Sequence, residues 1–162
     1  DVYKRQGPGQ WMDPGALGSL GVGTGFSMAA KLAHPNKEVV CLYGDGSFGM
    51  TAFDMETAQR FGAPYLAIVG NNSAMNQIRY GQISKYGAQR GGVGNKLGDI
   101  DFSLFGKMIG GYGEEVREAS QIQPALLRAR EAISKTGKCA VVNVWVDPNE
   151  YAPGTKAQTM YK

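Results

Sequence analysis

Histidine and cysteine are scarce in this chain: one of the first, His34, and two of the second, Cys41 and Cys139, among 162 residues. Both cysteines lie in apolar runs and far from any metal-ligand spacing, which predicts buried thiols in a reduced, cytoplasmic compartment. His34 precedes Pro35 at what reads as a helix end, where an imidazole suits the negative end of the dipole. No apolar run is long enough to cross a membrane, and no stretch has the apolar core of a signal peptide. The net charge of +3 is spread along the chain rather than gathered. That excludes a nucleic-acid surface and leaves only a mild preference for anionic substrates. Internal repeats and low-complexity segments are absent as well.

What is present is an alternation of short apolar runs and helical patterns. The runs Glu38 to Tyr43, Tyr65 to Val69, Tyr112 to Val116 and Cys139 to Val146 are continuous and bounded by glycine or proline, as buried parallel strands are. Helical periodicity lies between and before them, over 22–33, 51–61, 102–109 and 122–135. The last is preceded by Ser120-Gln121-Ile122-Gln123, which reads as a capping box, and is closed by Gly137. Strands alternating with helices predict an α/β domain with a doubly wound, mostly parallel sheet and helices on both faces. One domain is expected over 7–146, followed by a tail over 147–162 that holds Pro148, Pro153 and Gly154. Asp1 to Gln6 resemble a translated sequencing adapter rather than native protein. Between Ser73 and Gly98 glycine, glutamine and basic residues dominate. That composition predicts a short helix near Met75 and then a mobile loop around 89–95, placed as a lid or substrate wall.

The chemistry concentrates at two strand ends. Gly44-Asp45-Gly46-Ser47 follows the first run, and Asn71-Asn72 follows the second. In a doubly wound sheet, ligands bind at the carboxyl ends of strands beside a topological switch point. An aspartate and an asparagine there present hard oxygen ligands, which suit Mg²⁺ holding a phosphate rather than zinc or copper. Each element alone also fits a plainer role, a turn or helix N-cap for Asp45 and a strand-end turn for the asparagines. Gly44 to Gly49 additionally matches the dinucleotide pattern G-x-G-x-x-G. Against that reading, the second strand ends in asparagines and not in a ribose-binding acid, and an aspartate between the first two glycines would face the pyrophosphate unless a cation intervened.

Together, the two elements and the spacer between them resemble the thiamine diphosphate signature of the pyruvate decarboxylase and acetolactate synthase superfamily. The resemblance implies that Asp45, Asn72 and the backbone carbonyl of Ala74 hold Mg²⁺ against the cofactor's diphosphate, with Gly44, Gly46 and Ser47 lying alongside. Upstream, Gly18-Ser19-Leu20-Gly21 resembles the family segment around the aminopyrimidine ring. Gly18 would then accept a bond from the exocyclic amine, and Leu20 would wedge the cofactor into its bent shape. The glycines at 18, 21, 23 and 25 also suit close packing of a helix on the sheet, a role compatible with the first.

The resemblance covers nearly the whole chain, as the superfamily's C-terminal, diphosphate-binding domain. The family's ylid-activating glutamate comes from a separate pyrimidine-binding domain, usually of a partner subunit, and no acid here matches it. The chain is therefore expected to be a catalytically silent fragment of an enzyme, homo-oligomeric as the resemblance implies, that cleaves or forms a carbon–carbon bond beside a carbonyl. Its substrate would be a 2-keto acid or a 2-hydroxyacyl-CoA. Asn76 and Gly81 replace the glycine and tryptophan of biosynthetic acetolactate synthases, and the Gly-Ile-Tyr element of oxalyl-CoA decarboxylases is absent. Tyr151 to Thr155 and Met160 to Lys162 resemble bacterial 2-hydroxyacyl-CoA lyases. A dinucleotide-dependent oxidoreductase and a non-catalytic module that keeps the fold are the alternatives. Asp45→Ala is expected to abolish Mg²⁺-dependent binding and to leave the fold largely intact.

Overall fold

The computed structural model describes residues 7–149. The expectations placed on 1–6 and on 150–162 lie outside the described residues.

A four-stranded, all-parallel sheet forms the centre, in the order β1 (Val40–Gly44), β2 (Leu66–Asn71), β4 (Ala140–Trp145), β3 (Tyr112–Val116). The helices are α1 (Val22–Ala33), α2 (Asp45–Thr51), α3 (Asp54–Arg60), α4 (Asn76–Gly91), α5 (Ser103–Met108) and α6 (Ala119–Thr136). On one face, Tyr43, Ala67, Val69 and Val141 pack against Phe48, Met55, Ala58, Phe102 and Phe105 from the α2, α3 and α5 region, with Met28 of α1 beside them. On the other, Leu66, Ala140, Val142 and Val144 pack against Ala125, Ala129 and Leu126 of α6. The chain runs β1, β2, β3 in one direction across the sheet and returns to β4, so right-handed crossovers put α6 alone on the second face. The doubly wound parallel sheet read from the sequence is what forms, each strand within two residues of its expected bounds at either end.

Two helix expectations are corrected. The pattern over 51–61 is two short helices, and the first begins at Asp45, directly after the extended Gly44. Between them Met55 N–H bonds Ala52 O and Glu56 N–H bonds Phe53 O, so the pitch tightens to a three-residue turn. α6 starts three residues before the expected 122. Its N-cap is Glu118 in extended conformation with no side-chain cap bond, and Ser120 is already helical, so the capping box does not form. Pro124, the sixth residue of α6, has no N–H to give the Ser120 carbonyl, so the helix lacks that bond. Gly137 closes the helix with φ 66°, as expected.

The segment after the asparagines is more regular than its composition predicts. α4 runs well beyond Met75 and breaks at Gly87, where φ is 76° and ψ 163°. Beyond the break the chain folds back on the helix. Asn95, 3% exposed, donates to Gln82 Oε1 at 2.8 Å and to Gly91 O at 2.6 Å. The stretch expected to be a free loop thus carries a buried polar anchor. The first residues of the expected tail are held too: Pro148 O accepts from Asn76 Nδ2 at 2.6 Å and from Tyr80 Oη at 2.9 Å.

Candidate functional site

β1 and β2 are neighbours, and Gly44 stands opposite Gly70, so their carboxyl ends open at the same point of the sheet. Asp45 leaves β1 there, 3% exposed. One carboxylate oxygen accepts from Asn72 N–H at 3.0 Å and Ala74 N–H at 3.1 Å, and the other from Gly46 N–H at 2.7 Å. Three backbone donors aimed at one carboxylate fix its orientation. A carboxylate has about four acceptor positions, so one stays open for a cation.

The side-chain Oδ1 of Asn72, whose own backbone N–H bonds Asp45, is fully buried and accepts no hydrogen bond. A buried carbonyl oxygen left without a partner is costly unless a ligand completes it. Ser73 sets the turn that follows Asn72. With φ 57°, Ser73 is the sole non-glycine residue described in the left-handed region. Its hydroxyl donates to Asp99 Oδ1 at 2.7 Å and its carbonyl accepts from Leu97 N–H at 2.7 Å. Those bonds hold an otherwise disfavoured turn, which carries the chain from Asn72 back to Ala74 beneath the Asp45 carboxylate. Ala74 O already accepts from Asn76 N–H at 2.8 Å, and a carbonyl oxygen has a second lone pair to offer.

Asn71 has a different task from Asn72. Fully buried, it donates to Ile100 O at 2.7 Å and to Asn143 Oδ1 at 2.9 Å, and accepts from Ser73 N–H at 3.1 Å. It therefore ties β2 to β4 and to the chain before α5. Asn143, Asp99 and Ser73 support the site and were not singled out from the sequence. Asn143 alone gave a signal, as the one polar residue in Ala140-Val141-Val142-Asn143-Val144.

The glycine-rich segment upstream meets the same helix. Gly18 ends a short 3₁₀ turn, Gly15–Leu17, at φ 59°. Leu20 follows it, 48% exposed. Gly21, at φ 82°, is the N-cap of α1; its N–H bonds Ser47 Oγ at 3.0 Å. Close packing also accounts for Gly23, where a Cβ would lie 2.7 Å from Cys41 Sγ, but not for Gly25, which faces open space. Of the residues singled out from the sequence, Gly44, Asp45, Gly46, Asn72 and Ala74 converge in one hydrogen-bonded turn. Ser47 belongs to the adjoining contact of Gly21 with α2, and Gly18 and Leu20 lie just before Gly21 in the chain.

Burial shapes the surrounding titrations. Tyr65 is pushed up from 10.0 to about 12 and Cys139 from 9.0 to about 11, each chiefly by burial, and Tyr43 is raised for the same reason. Cys139 lies one residue before β4, Cys41 lies in β1, and both are free thiols. His34 is exposed at the C-terminus of α1, its N–H on Ala30 O, as expected. Among the described residues no three His, Cys, Asp or Glu side chains come together, so a cation here would take mixed oxygen ligands. The dinucleotide alternative fares poorly, because the Gly46 N–H that would meet a pyrophosphate is spent on Asp45.

Fold and site together define an α/β domain with one carboxylate, one amide oxygen and one backbone carbonyl just beyond the carboxyl ends of β1 and β2. A family model described as thiamine pyrophosphate enzyme, C-terminal TPP binding domain, matches residues 1–144, and the chain belongs to that family. It is 34% identical over 155 residues to 2-hydroxyacyl-CoA lyase 2 of Mus musculus, covering 95% of the chain and 24% of that protein. With the human protein of the same name the identity is 33% over 157 residues, 96% of the chain and 24% of that protein. A probable acetolactate synthase of Mycobacterium bovis is 35% identical over 146 residues, 90% of the chain and 26% of that protein. The chain thus spans about a quarter of the length of these curated relatives.

Proposed function

We propose that this chain holds the diphosphate of thiamine diphosphate through a Mg²⁺ ion bound by Asp45 Oδ, Asn72 Oδ1 and the carbonyl of Ala74. The observation that carries the reading is the buried, partnerless Oδ1 of Asn72, a residue whose backbone N–H is one of the three donors that fix the Asp45 carboxylate. A hard cation completes both, and the hard oxygen set suits Mg²⁺, whose remaining positions phosphate and water would fill. Asp45 and Asn72 position the ion, and Asn71 and Ser73 keep Asn72 turned toward it. Gly18 and Leu20 lie alongside the cofactor's ring. When bound, thiamine diphosphate supplies a carbanion-stabilising ylid.

The parent enzyme cleaves or forms a carbon–carbon bond next to a carbonyl, in the manner of a 2-hydroxyacyl-CoA lyase or an acetolactate synthase. Its ylid-activating acid is supplied by a pyrimidine-binding domain, and its sites are built in a homo-oligomer. Similarity to both named relatives at nearly equal identity supports the reaction class and leaves the acyl group open. Calorimetric titration of thiamine diphosphate into the chain, at millimolar cofactor, is the test. Heat that requires Mg²⁺ is expected. Binding of equal strength with and without Mg²⁺ would remove the metal from the account.

A further inference from the structure

Ser47 and Thr51 stand four residues apart on α2, on one face of the helix. Between them they hold both polar backbone groups of a single residue. Ser47 Oγ accepts the Gly21 N–H at 3.0 Å, and Thr51 Oγ1 donates to the Gly21 carbonyl at 2.7 Å. A Cβ at position 21 would lie 3.0 Å from Thr51 Cγ2 and 3.3 Å from Met50 Cβ, and φ there is 82°. Contact this close, on both sides of one peptide residue, leaves the segment ending at Gly21 little freedom against α2.

Thr51 is itself held from behind. Its hydroxyl lies 3.1 Å from Thr24 Oγ1, which lies 3.1 Å from Tyr43 Oη, which lies 3.2 Å from Tyr65 Oη. Thr24, Tyr43 and Tyr65 are all at most 6% exposed. Each hydroxyl has one proton to give. Since Thr51 gives its own to Gly21, it must accept from Thr24; Thr24 must then accept from Tyr43, and Tyr43 from Tyr65. The buried chain therefore has one direction, from Tyr65 to the Gly21 carbonyl.

We infer that Ser47 and Thr51 are positioning residues, clamping the Gly18–Gly21 segment to the helix that begins at Asp45. The clamp sets the distance between the diphosphate end of a ligand, at Asp45, and its ring end, at Gly18 and the exposed Leu20. This inference rests on the proposed diphosphate site. It predicts that the clamp matters to a diphosphate carrying a ring and is indifferent to diphosphate alone.

The test titrates two probes, inorganic diphosphate and thiamine diphosphate, each with Mg²⁺, into the full chain. Thr51→Val is compared with wild type and with Thr51→Ser, which keeps the hydroxyl. Gly21→Ala disturbs the clamp from the other side and serves if Thr51→Val does not fold, as judged by circular dichroism and urea midpoint. Expected is a loss of about tenfold in affinity for thiamine diphosphate in Thr51→Val and Gly21→Ala, about what one lost hydrogen bond costs. Inorganic diphosphate binding should stay within about twofold, and Thr51→Ser should restore most of the loss. Equal loss for both probes, or no loss for either, overturns the clamp while the diphosphate site stands. A folded wild-type chain that takes neither probe overturns the site, and the clamp with it.

Discussion

The side chain of Asp45, at the end of β1, accepts the backbone N–H of Asn72, at the end of β2, across 3.0 Å. The same oxygen takes the N–H of Ala74, so the acid that would hold the cation also shapes the turn that presents the other two ligands. On the proposed reading, binding and folding would be coupled at this residue.

That coupling revises what Asp45→Ala should do. The substitution empties no large volume, yet it leaves three backbone N–H groups without an acceptor at a buried position. A loss of about 3 kcal/mol of stability is expected alongside the loss of Mg²⁺-dependent binding. Urea unfolding of the variant without ligand measures the first effect separately. Unchanged stability would mean that the turn holds itself.

The paired asparagines should separate in the same assay. Asn71→Ala removes bonds to Ile100, Asn143 and Ser73, and should cost about 3 kcal/mol of stability. Asn143→Ala removes one bond and a donor that already lacks a partner, and should cost distinctly less. Asn72→Ala should leave stability close to that of wild type and abolish the Mg²⁺-dependent heat. The reverse order for 71 and 72 would exchange their roles.

Alkaline stability should depend on Tyr65. Burial raises its phenol from 10.0 to about 12, so the unfolded chain releases this proton before the folded one does. Stability from this group is complete below pH 10.0 and lost as pH climbs toward about 12. Tyr43, raised as well, steepens the same fall. In Tyr65→Phe the decline of the urea midpoint over this interval should be shallower. An identical slope in variant and wild type would contradict the burial account.

Sheet packing gives a prediction independent of any ligand. At Gly113 in β3 a Cβ would stand 1.9 Å from the Ser103 carbonyl oxygen, a backbone atom of α5. Gly113→Ala should force the helix off the strand and destabilise the domain by about 3 kcal/mol. Gly25→Ala, on α1 in open space, should be neutral or slightly stabilising. Thermal unfolding of the pair checks both.

Much of this was legible in the residues because strand ends are local. Gly44-Asp45 and Asn71-Asn72 each sit where an apolar run stops, and parallel pairing of adjacent strands brings two such ends together. What could not be read is set by contacts distant in sequence. α4 extends past its weak apolar pattern because Asn95 folds back onto Gln82 and Gly91. The expected capping box fails because the extended backbone at Glu118 starts α6 early. The left-handed turn at Ser73 depends on Asp99 and Leu97, some two dozen residues away, and nothing in Asn72-Ser73-Ala74 announces it.

Asp45, Asn72 and Ala74 would together hold a divalent cation against a diphosphate. Replacing Mg²⁺ by paramagnetic Mn²⁺ and following the backbone amide resonances of the chain in the presence of inorganic diphosphate tests that site directly. Broadening should appear first at Gly46 and from Asn72 to Met75, and should disappear in Asn72→Ala. Broadening centred instead on Asp99 and Asp101, or none in a folded sample, would contradict the site.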